Sequence, residues 1–590
     1  MSDSFTCLLN SAKIVLSIAP IVLVASSAAT QENSLKVVYP PSNHETISAS
    51  IFLIGSAPSQ GEVSVNNQKI KRSPQGNFAP SFPLRVGENL FTIRYQNQEI
   101  QIKVTRKLDR PEIPTGVAFA PNSLLPNSNI SRLEGESICF SAIAPPNGKV
   151  SVSLGNKTIP LAATTQTADL PPNNAILNAQ NQPIESQIGK YQGCSSFTAI
   201  GNLGNPIFRL SLDGKEISQT SPNTVEILDL DRLEVVEIIA DTGVARTGAS
   251  TDNSRLTPLP KGTKATVTGK EGEWLRLDYG GWLKQKETQT LNENTPPKSI
   301  IRSITSHQTA GETEIIFPLQ VPVPISIEQG EKTFTLTLHN TTAQTDTIRL
   351  GDDPLIKRLD WQQIAPERIK YTFHLKSERQ WGYQVKYAGT SLILSLRHPP
   401  QLNKGNQPLK GIKIVLDPGH GGKETGATGP TGYTEKEVNL VVSKLLRSEL
   451  EKRGATVIMT REVDMDLSLD DRVKIIDEIE PTIALSIHYN ALPDGGDAEN
   501  TKGVSIFWYH PQAHDLAIFL HNYLVKKLNR PDYGSYWNNL ALTRPHSAPS
   551  ILLELGFLIN PVEFEWITNT KEQEKLAETI ADGIVAWLQR

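Results

Sequence analysis

From Gly411 onward the sequence changes its grammar, and this change limits the fold more than any other feature. Beyond it, short β-branched runs alternate with stretches of helical spacing. Strands are read at residues 412–416, 456–460, 483–488, 504–508 and 550–555, and helices over about 435–453, 468–478, 513–528 and 571–588. Val438, Val441, Val442, Leu445, Leu446 and Leu450 give the first helix its spacing, and Gly454 is placed to end it. Ser468 is placed to cap the second. Strands that alternate with helices predict an α/β domain over 411–590, its mostly parallel sheet covered by helices.

The preceding residues read differently. Short alternating runs separated by Gly, Pro and Asn turn signals predict all-β modules, so the chain is expected to be multidomain, as 590 residues require. A β-sandwich of immunoglobulin type is expected over 36–106 and a second over 110–220, because residues 57–65 and 144–152 share a Pro turn, a Gly and an alternating strand. Residues 225–290 form a further β unit similar to bacterial SH3-like modules. There Trp274 and Trp282 either line a groove or pack the small barrel. A linker rich in Asn, Thr and Pro leads to a β-rich stretch at 299–398, which weakly resembles the wall-targeting modules of secreted amidases.

Residues 1–29 carry Lys13, an apolar run at 14–24 and then small residues, the pattern of a secretory signal peptide. An exported chain is expected in the periplasm or cell envelope. Cys139 and Cys194 would then either pair or remain two separate thiols. The 58 basic and 62 acidic residues nearly balance, which argues against a nucleic-acid partner held by phosphate contacts.

Chemistry concentrates at the strand ends of the last domain. The first strand runs into Asp417-Pro418-Gly419-His420, and Glu435 opens the helix after a Gly- and Thr-rich loop. Two later strands end on His488 and Glu554. The carboxyl edge of an open α/β sheet is where such folds bind ligands. Two imidazoles and a carboxylate suit a zinc ion that keeps a position for water. Glu554, in the apolar run 551–557, is the candidate proton carrier, because a bare carboxylate in such a strand is otherwise costly.

These residues carry a resemblance. Residues 412–590 resemble the zinc-dependent N-acetylmuramoyl-L-alanine amidases of the amidase_3 type. The shared motifs are Asp417-Pro418-Gly419-His420-Gly421-Gly422, Gly426-Ala427, Glu435-Lys436 with Asn439, Ser486-Ile487-His488 with Asn490, and Glu554-Leu555-Gly556-Phe557 with Asn560. The resemblance implies His420, Glu435 and His488 as zinc ligands and Glu554 as the catalytic carboxylate. It implies peptidoglycan as substrate, cut at the amide between N-acetylmuramic acid and L-alanine. Asn490 and Arg461 are expected to touch substrate, and Arg472 is either functional or an ion-pair partner. Two positions depart from the family pattern: Glu424 replaces an Asp, and Tyr489 replaces a small residue and is expected to shape the pocket edge. Regulated relatives carry a helical insertion that plugs the metal. Residues 508–539 have room for one ordinary helix and a loop, so no plug is expected. Two alternatives stay open: another zinc amide hydrolase of the wall, such as a peptidase or deacetylase, or a non-enzymatic wall-binding scaffold.

Overall fold

The structure, a computed structural model, describes residues 34–107, 113–164, 168–171, 173, 175–178, 181–185, 189–292, 295–403 and 405–590. The expected signal segment lies outside the described residues. No helix among them is long and apolar enough to cross a membrane.

Among the described residues the chain holds strands and three short 3-10 turns before residue 412, and strands with α-helices thereafter. Near the N-terminus, a five-stranded sheet and a three-stranded sheet enclose a core that includes Ile51, Val63, Phe78, Ile93 and Val104. Next comes a six-stranded antiparallel sheet over residues 137–220. Cys139 and Cys194 face each other there on strands Ser137–Ile143 and Lys190–Ser196, and they form a disulfide. Strand Ile130–Leu133 pairs with Lys264–Glu271, so one sheet runs without a break from the second β unit into the third. Backbone hydrogen bonds therefore cross a boundary that the sequence pattern presents as a junction between separate modules.

Trp274 and Trp282 are both buried. Lys284 covers Trp274, and the guanidiniums of Arg132 and Arg276 lie 5.5 and 5.9 Å from the Trp282 ring centre. Of the two readings for these rings, packing is the one observed. The fourth β unit, residues 299–397, stacks a five-stranded sheet on a four-stranded one around Phe317, Phe334, Tyr371 and Phe373.

The last domain has one six-stranded sheet. Its elements are β1 (Lys413–Pro418), α1 (Glu435–Lys452), β2 (Thr456–Met459), α2 (Leu469–Ile479), β3 (Ile483–Asn490), β4 (Val504–Trp508), α3 (Pro511–Leu528), β5 (Asp532–Trp537), β6 (Ser550–Phe557), α4 (Pro561–Ile567) and α5 (Thr570–Leu588). The strand order is β2-β1-β3-β6-β4-β5. β2, β1, β3 and β6 run parallel, and β4 and β5 run opposite to them. Alternating side chains divide between the two faces. Ile414, Leu416, Leu485 and Leu553 pack with α1, α3 and α5, whereas Val415, Ala484 and Leu552 pack with Ile476 of α2 and with Leu542.

α1 buries Val438, Val442, Leu446 and Leu450, four positions one turn apart, against the sheet. Glu437 reaches back to the Thr434 N–H at 2.8 Å and fixes the start of the helix. Residues 508–539 hold α3 and then β5, an edge strand the sequence pattern did not reveal. Its segment Asp-Tyr-Gly-Ser-Tyr-Trp stays partly exposed on both faces, so it lacks the clean alternation of a half-buried strand.

The β units pack directly on this domain. Phe52, Ile54 and Ala79 of the first unit share a cluster with Ala498, Phe557 and Ile559. In the fourth unit, Trp381 stacks on Trp587 with ring centres 5.4 Å apart. Tyr383 donates its N–H to the His546 carbonyl at 2.9 Å, and its ring lies 4.7 Å from the His546 imidazole.

That last junction holds two histidines. Burial pushes both His510 and His546 down to about 4, and the neighbouring His546 adds to the effect at His510. A histidine that is held neutral in the fold charges more readily once unfolded, so its stabilising contribution is complete above pH 6.5 and is lost as pH falls toward 4. Denaturant unfolding should show lower stability at pH 5 than at pH 7. The double variant His510→Gln/His546→Gln should show a smaller difference between the two.

Candidate metal centre

Three strand ends and one helix start meet at the carboxyl edge of the sheet. His420 follows β1, Glu435 is the first residue of α1, His488 lies near the end of β3, and Glu554 stands opposite His488 in register on β6. The sheet pairing therefore sets the Glu554 backbone beside that of His488.

Glu435 is the hub. It is 4% exposed. Its Oε2 lies 3.2 Å from His420 Nε2, and its Oε1 lies 2.9 Å from His488 Nδ1. Oε2 also accepts the Ala427 N–H at 2.9 Å, and Oε1 accepts the Tyr489 N–H at 3.2 Å and the Asn439 amide at 3.3 Å. Burial raises the affinity of Glu435 for a proton, but the two imidazoles overcome this and hold it far below the usual carboxylate range. In return Glu435 outweighs burial at His420 and raises that imidazole.

Glu554 is in the opposite state. Burial first, and the Glu435 charge second, push it well above the usual range. Its Oε2 is buried and has no hydrogen-bond partner among the described residues. An orphaned buried carboxylate oxygen beside a cluster of donors fits a site built around an added cation or a reacting group.

A metal fits the residues present. One donor atom from each of His420, Glu435 and His488 can be chosen so that all three lie within 4.8 Å of one another. The backbone is kept thin around them. A Cβ on Gly419 would lie 2.2 Å from the His488 ring, and one on Gly426 would lie 2.4 Å from Glu435 Oε2. Imidazole and carboxylate are the donor types of a catalytic zinc site.

A second layer holds the turn that carries His420. Asp417, 1% exposed, pairs with Arg472 at 2.7 Å and accepts the Thr460 and Ser486 hydroxyls at 2.6 Å each. Arg472 also donates to the carbonyls of Pro418 and His420 at 2.9 and 2.7 Å. His420 has φ +58°, a left-handed conformation uncommon outside glycine. The clamp on its carbonyl sits where that conformation must be maintained.

Some expected placements change. Arg461 is 2% exposed and spends its guanidinium on the carbonyls of Pro418, Gly419 and Lys436. It braces the loop from beneath and does not present its charge to a substrate. Tyr489 points into the core under the sheet, 1% exposed, away from the pocket edge; strand alternation turns it to the face opposite His488. Asn490 accepts the Ala491 N–H at 2.9 Å and shapes the next turn. Arg472 is an ion-pair partner. Asn439, a motif residue to which the sequence assigns no role, bridges Glu435 and the Gly419 carbonyl through its amide. Its place one helical turn after Glu435 was the available signal.

The family model described as N-acetylmuramoyl-L-alanine amidase matches residues 414–586. The probable cell wall amidase LytH of Staphylococcus epidermidis is 35% identical over 218 residues, which cover 37% of this chain and 69% of that protein. The chain belongs to the N-acetylmuramoyl-L-alanine amidase family. LytH of Staphylococcus aureus is 38% identical over 183 residues, 31% of this chain and 60% of that relative. The solved N-acetylmuramoyl-L-alanine amidase AmiC2 of Nostoc punctiforme is 31% identical, covers 30% of this chain and 98% of its own, and gives a TM-score of 0.29. The amidase match coincides with the α/β domain, so the β units lie outside it.

The buried ion pair in this amidase domain sets a clear expectation. Arg472→Met leaves Asp417 charged and unpaired in the interior, which costs on the order of 3–5 kcal/mol. Denaturant unfolding of the variant should show a loss of that size, and its metal affinity should fall with it.

Proposed function

We propose that this chain is an exported, zinc-dependent cell-wall amidase that hydrolyses the amide between the lactyl group of N-acetylmuramic acid and the L-alanine of the stem peptide. The observation that carries this reading is the convergence of His420, Glu435 and His488 beside the unpartnered Glu554 oxygen. Family membership supplies the substrate class.

In this reading His420, Glu435 and His488 hold the ion. A bound zinc supplies Lewis acidity to the scissile carbonyl and to the attacking water. Glu554 takes a proton from that water as the oxygen adds to the carbonyl carbon. It then returns the proton to the L-alanine nitrogen as the carbon–nitrogen bond breaks. The products are the lactyl carboxylate and a free amine. A raised proton affinity suits a group that must both accept and give back a proton near neutral pH. Asn439 and the Ala427 N–H keep Glu435 oriented throughout.

Export is supported by the pattern of residues 1–29 and by the Cys139–Cys194 disulfide, because such bonds persist in oxidising compartments. The β units at 36–106, 110–220, 225–290 and 299–398 are proposed as immunoglobulin-like, immunoglobulin-like, SH3-like and wall-targeting modules that bring the amidase domain to the wall.

Purified sacculi treated with the protein should release stem peptides with free L-alanine amino termini and leave intact glycan strands, and a chelator should stop the release. New amino termini elsewhere in the peptide, or freed acetate, would instead mark a peptidase or a deacetylase. Glu554→Gln should lower turnover by at least about a thousandfold while metal content stays at the wild-type level. Substantial activity in that variant would remove Glu554 from the proton transfer.

A further inference from the structure

A second site lies at the other end of the same sheet. Trp508 pairs with Ile551, whereas Ser505 pairs with Glu554, so the far end of β4 is about 10 Å along the strand from the metal centre. At that end the second β unit, the third β unit and the amidase domain enclose a cavity of about 380 Å³. Three arginines line it: Arg246 and Arg255 from the third unit, and Arg544 from the amidase domain.

No carboxylate among the described residues lies within ion-pair distance of any of the three guanidiniums. Arg246 donates to the carbonyls of Thr251 and Asn253, and Arg544 donates to the side chain and carbonyl of Asn539, all neutral acceptors. The Arg255 guanidinium donates to no side chain or carbonyl among the described residues. Burial and the neighbouring arginines together lower the proton affinity of Arg255, and they bring Arg544 down to about 10. Asp252 on the rim, Asp470 of α2 and Glu287 of the third unit are the acidic groups facing the cluster, and none closes on it. Three like charges drawn together with no carboxylate at ion-pair distance cost free energy that an anion would recover.

The rest of the lining narrows the ligand. The carboxamides of Asn253 and Asn538 can each donate and accept, which matches the amide groups of a peptide. Trp537 is 61% exposed at the rim and offers a flat apolar face. Arginine forks pair two-pronged with carboxylates. A phosphodiester polymer would satisfy the arginines but carries no amide groups to match those carboxamides.

We propose that this cavity binds the carboxylates of a peptidoglycan stem peptide, as an accessory site separate from the catalytic edge. The identity of the ligand rests on the cell-wall reading of the amidase domain; the anion site itself does not. Because three parts of the chain contribute to it, bound peptide would tie the β units to the amidase domain. The enzyme would then hold one stem while it cuts another.

The test is titration of the full-length protein with a free acidic stem peptide, which carries no muramic acid and so no scissile bond. Isothermal titration should show one peptide per chain, insensitive to a chelator and weakened by salt. Arg255→Gln and Arg544→Gln should each weaken binding by at least tenfold, with unchanged thermal unfolding as evidence that they fold. Amidation of the peptide carboxylates should have the same effect. Failure of sacculus digestion would sink the amidase reading and leave this titration to be judged by itself. Peptide binding that is unaffected by both arginine variants, or no peptide binding at all, would overturn the proposal. So would tighter binding of oligomeric glycerol phosphate than of the peptide, because the site would then serve a phosphate polymer.

Discussion

A carboxylate that is 4% exposed needs positive charge or several donors close at hand, and Glu435 is such a carboxylate. It begins a helix, where the backbone dipole favours a negative group, yet its side chain turns inward to two imidazoles. The local architecture follows from accommodating it. Gly419 and Gly426 bring the backbone close enough for the rings and the carboxylate to meet. Asn439 and two backbone N–H groups fix its rotamer. Across the site Glu554 carries the opposite burden, because it is buried without a partner and repelled by Glu435. One carboxylate is held charged and the other is pressed toward neutrality, and in the proposed function that split separates a group that holds an ion from a group that moves a proton.

Beneath the site lies a second buried charge pair, Asp417 with Arg472. Its role is mechanical. Together with Arg461 it captures the carbonyls of residues 418–420 and keeps His420 in a left-handed conformation. Buried ion pairs seldom add much net stability over a well-packed apolar alternative. Here the pair sets the direction of a side chain that the site requires.

Much of the amidase domain was legible in the sequence because its signals are local. Val438, Val442, Leu446 and Leu450 mark one face of a helix, and β-branched runs mark strands buried on both sides. His420, Glu435, His488 and Glu554 were legible because each lies at or beside an end of such an element. What the sequence hid is non-local. Strand β5 has no clear alternation, and its place is set by pairing with β4. The burial of Arg461 and the inward turn of Tyr489 depend on neighbours far along the chain. The backbone pairing between Ser131 and Lys270 is of the same kind, since turn signals suggest separate units and cannot report that two of them share a sheet. The Trp274 and Trp282 rings likewise looked equally suited to a groove or a core until Arg132, from another unit, was seen against Trp282.

The proposed activity depends on one ion held by two imidazoles and one carboxylate at the carboxyl edge of the sheet. Zinc-edge X-ray absorption on the zinc-loaded full-length protein tests this most directly. It should show a first shell of nitrogen and oxygen at about 2.0–2.2 Å with the scattering of two imidazoles, and His488→Ala should reduce this to one. A shell that contains sulfur, or one that His488→Ala leaves unchanged, would contradict it.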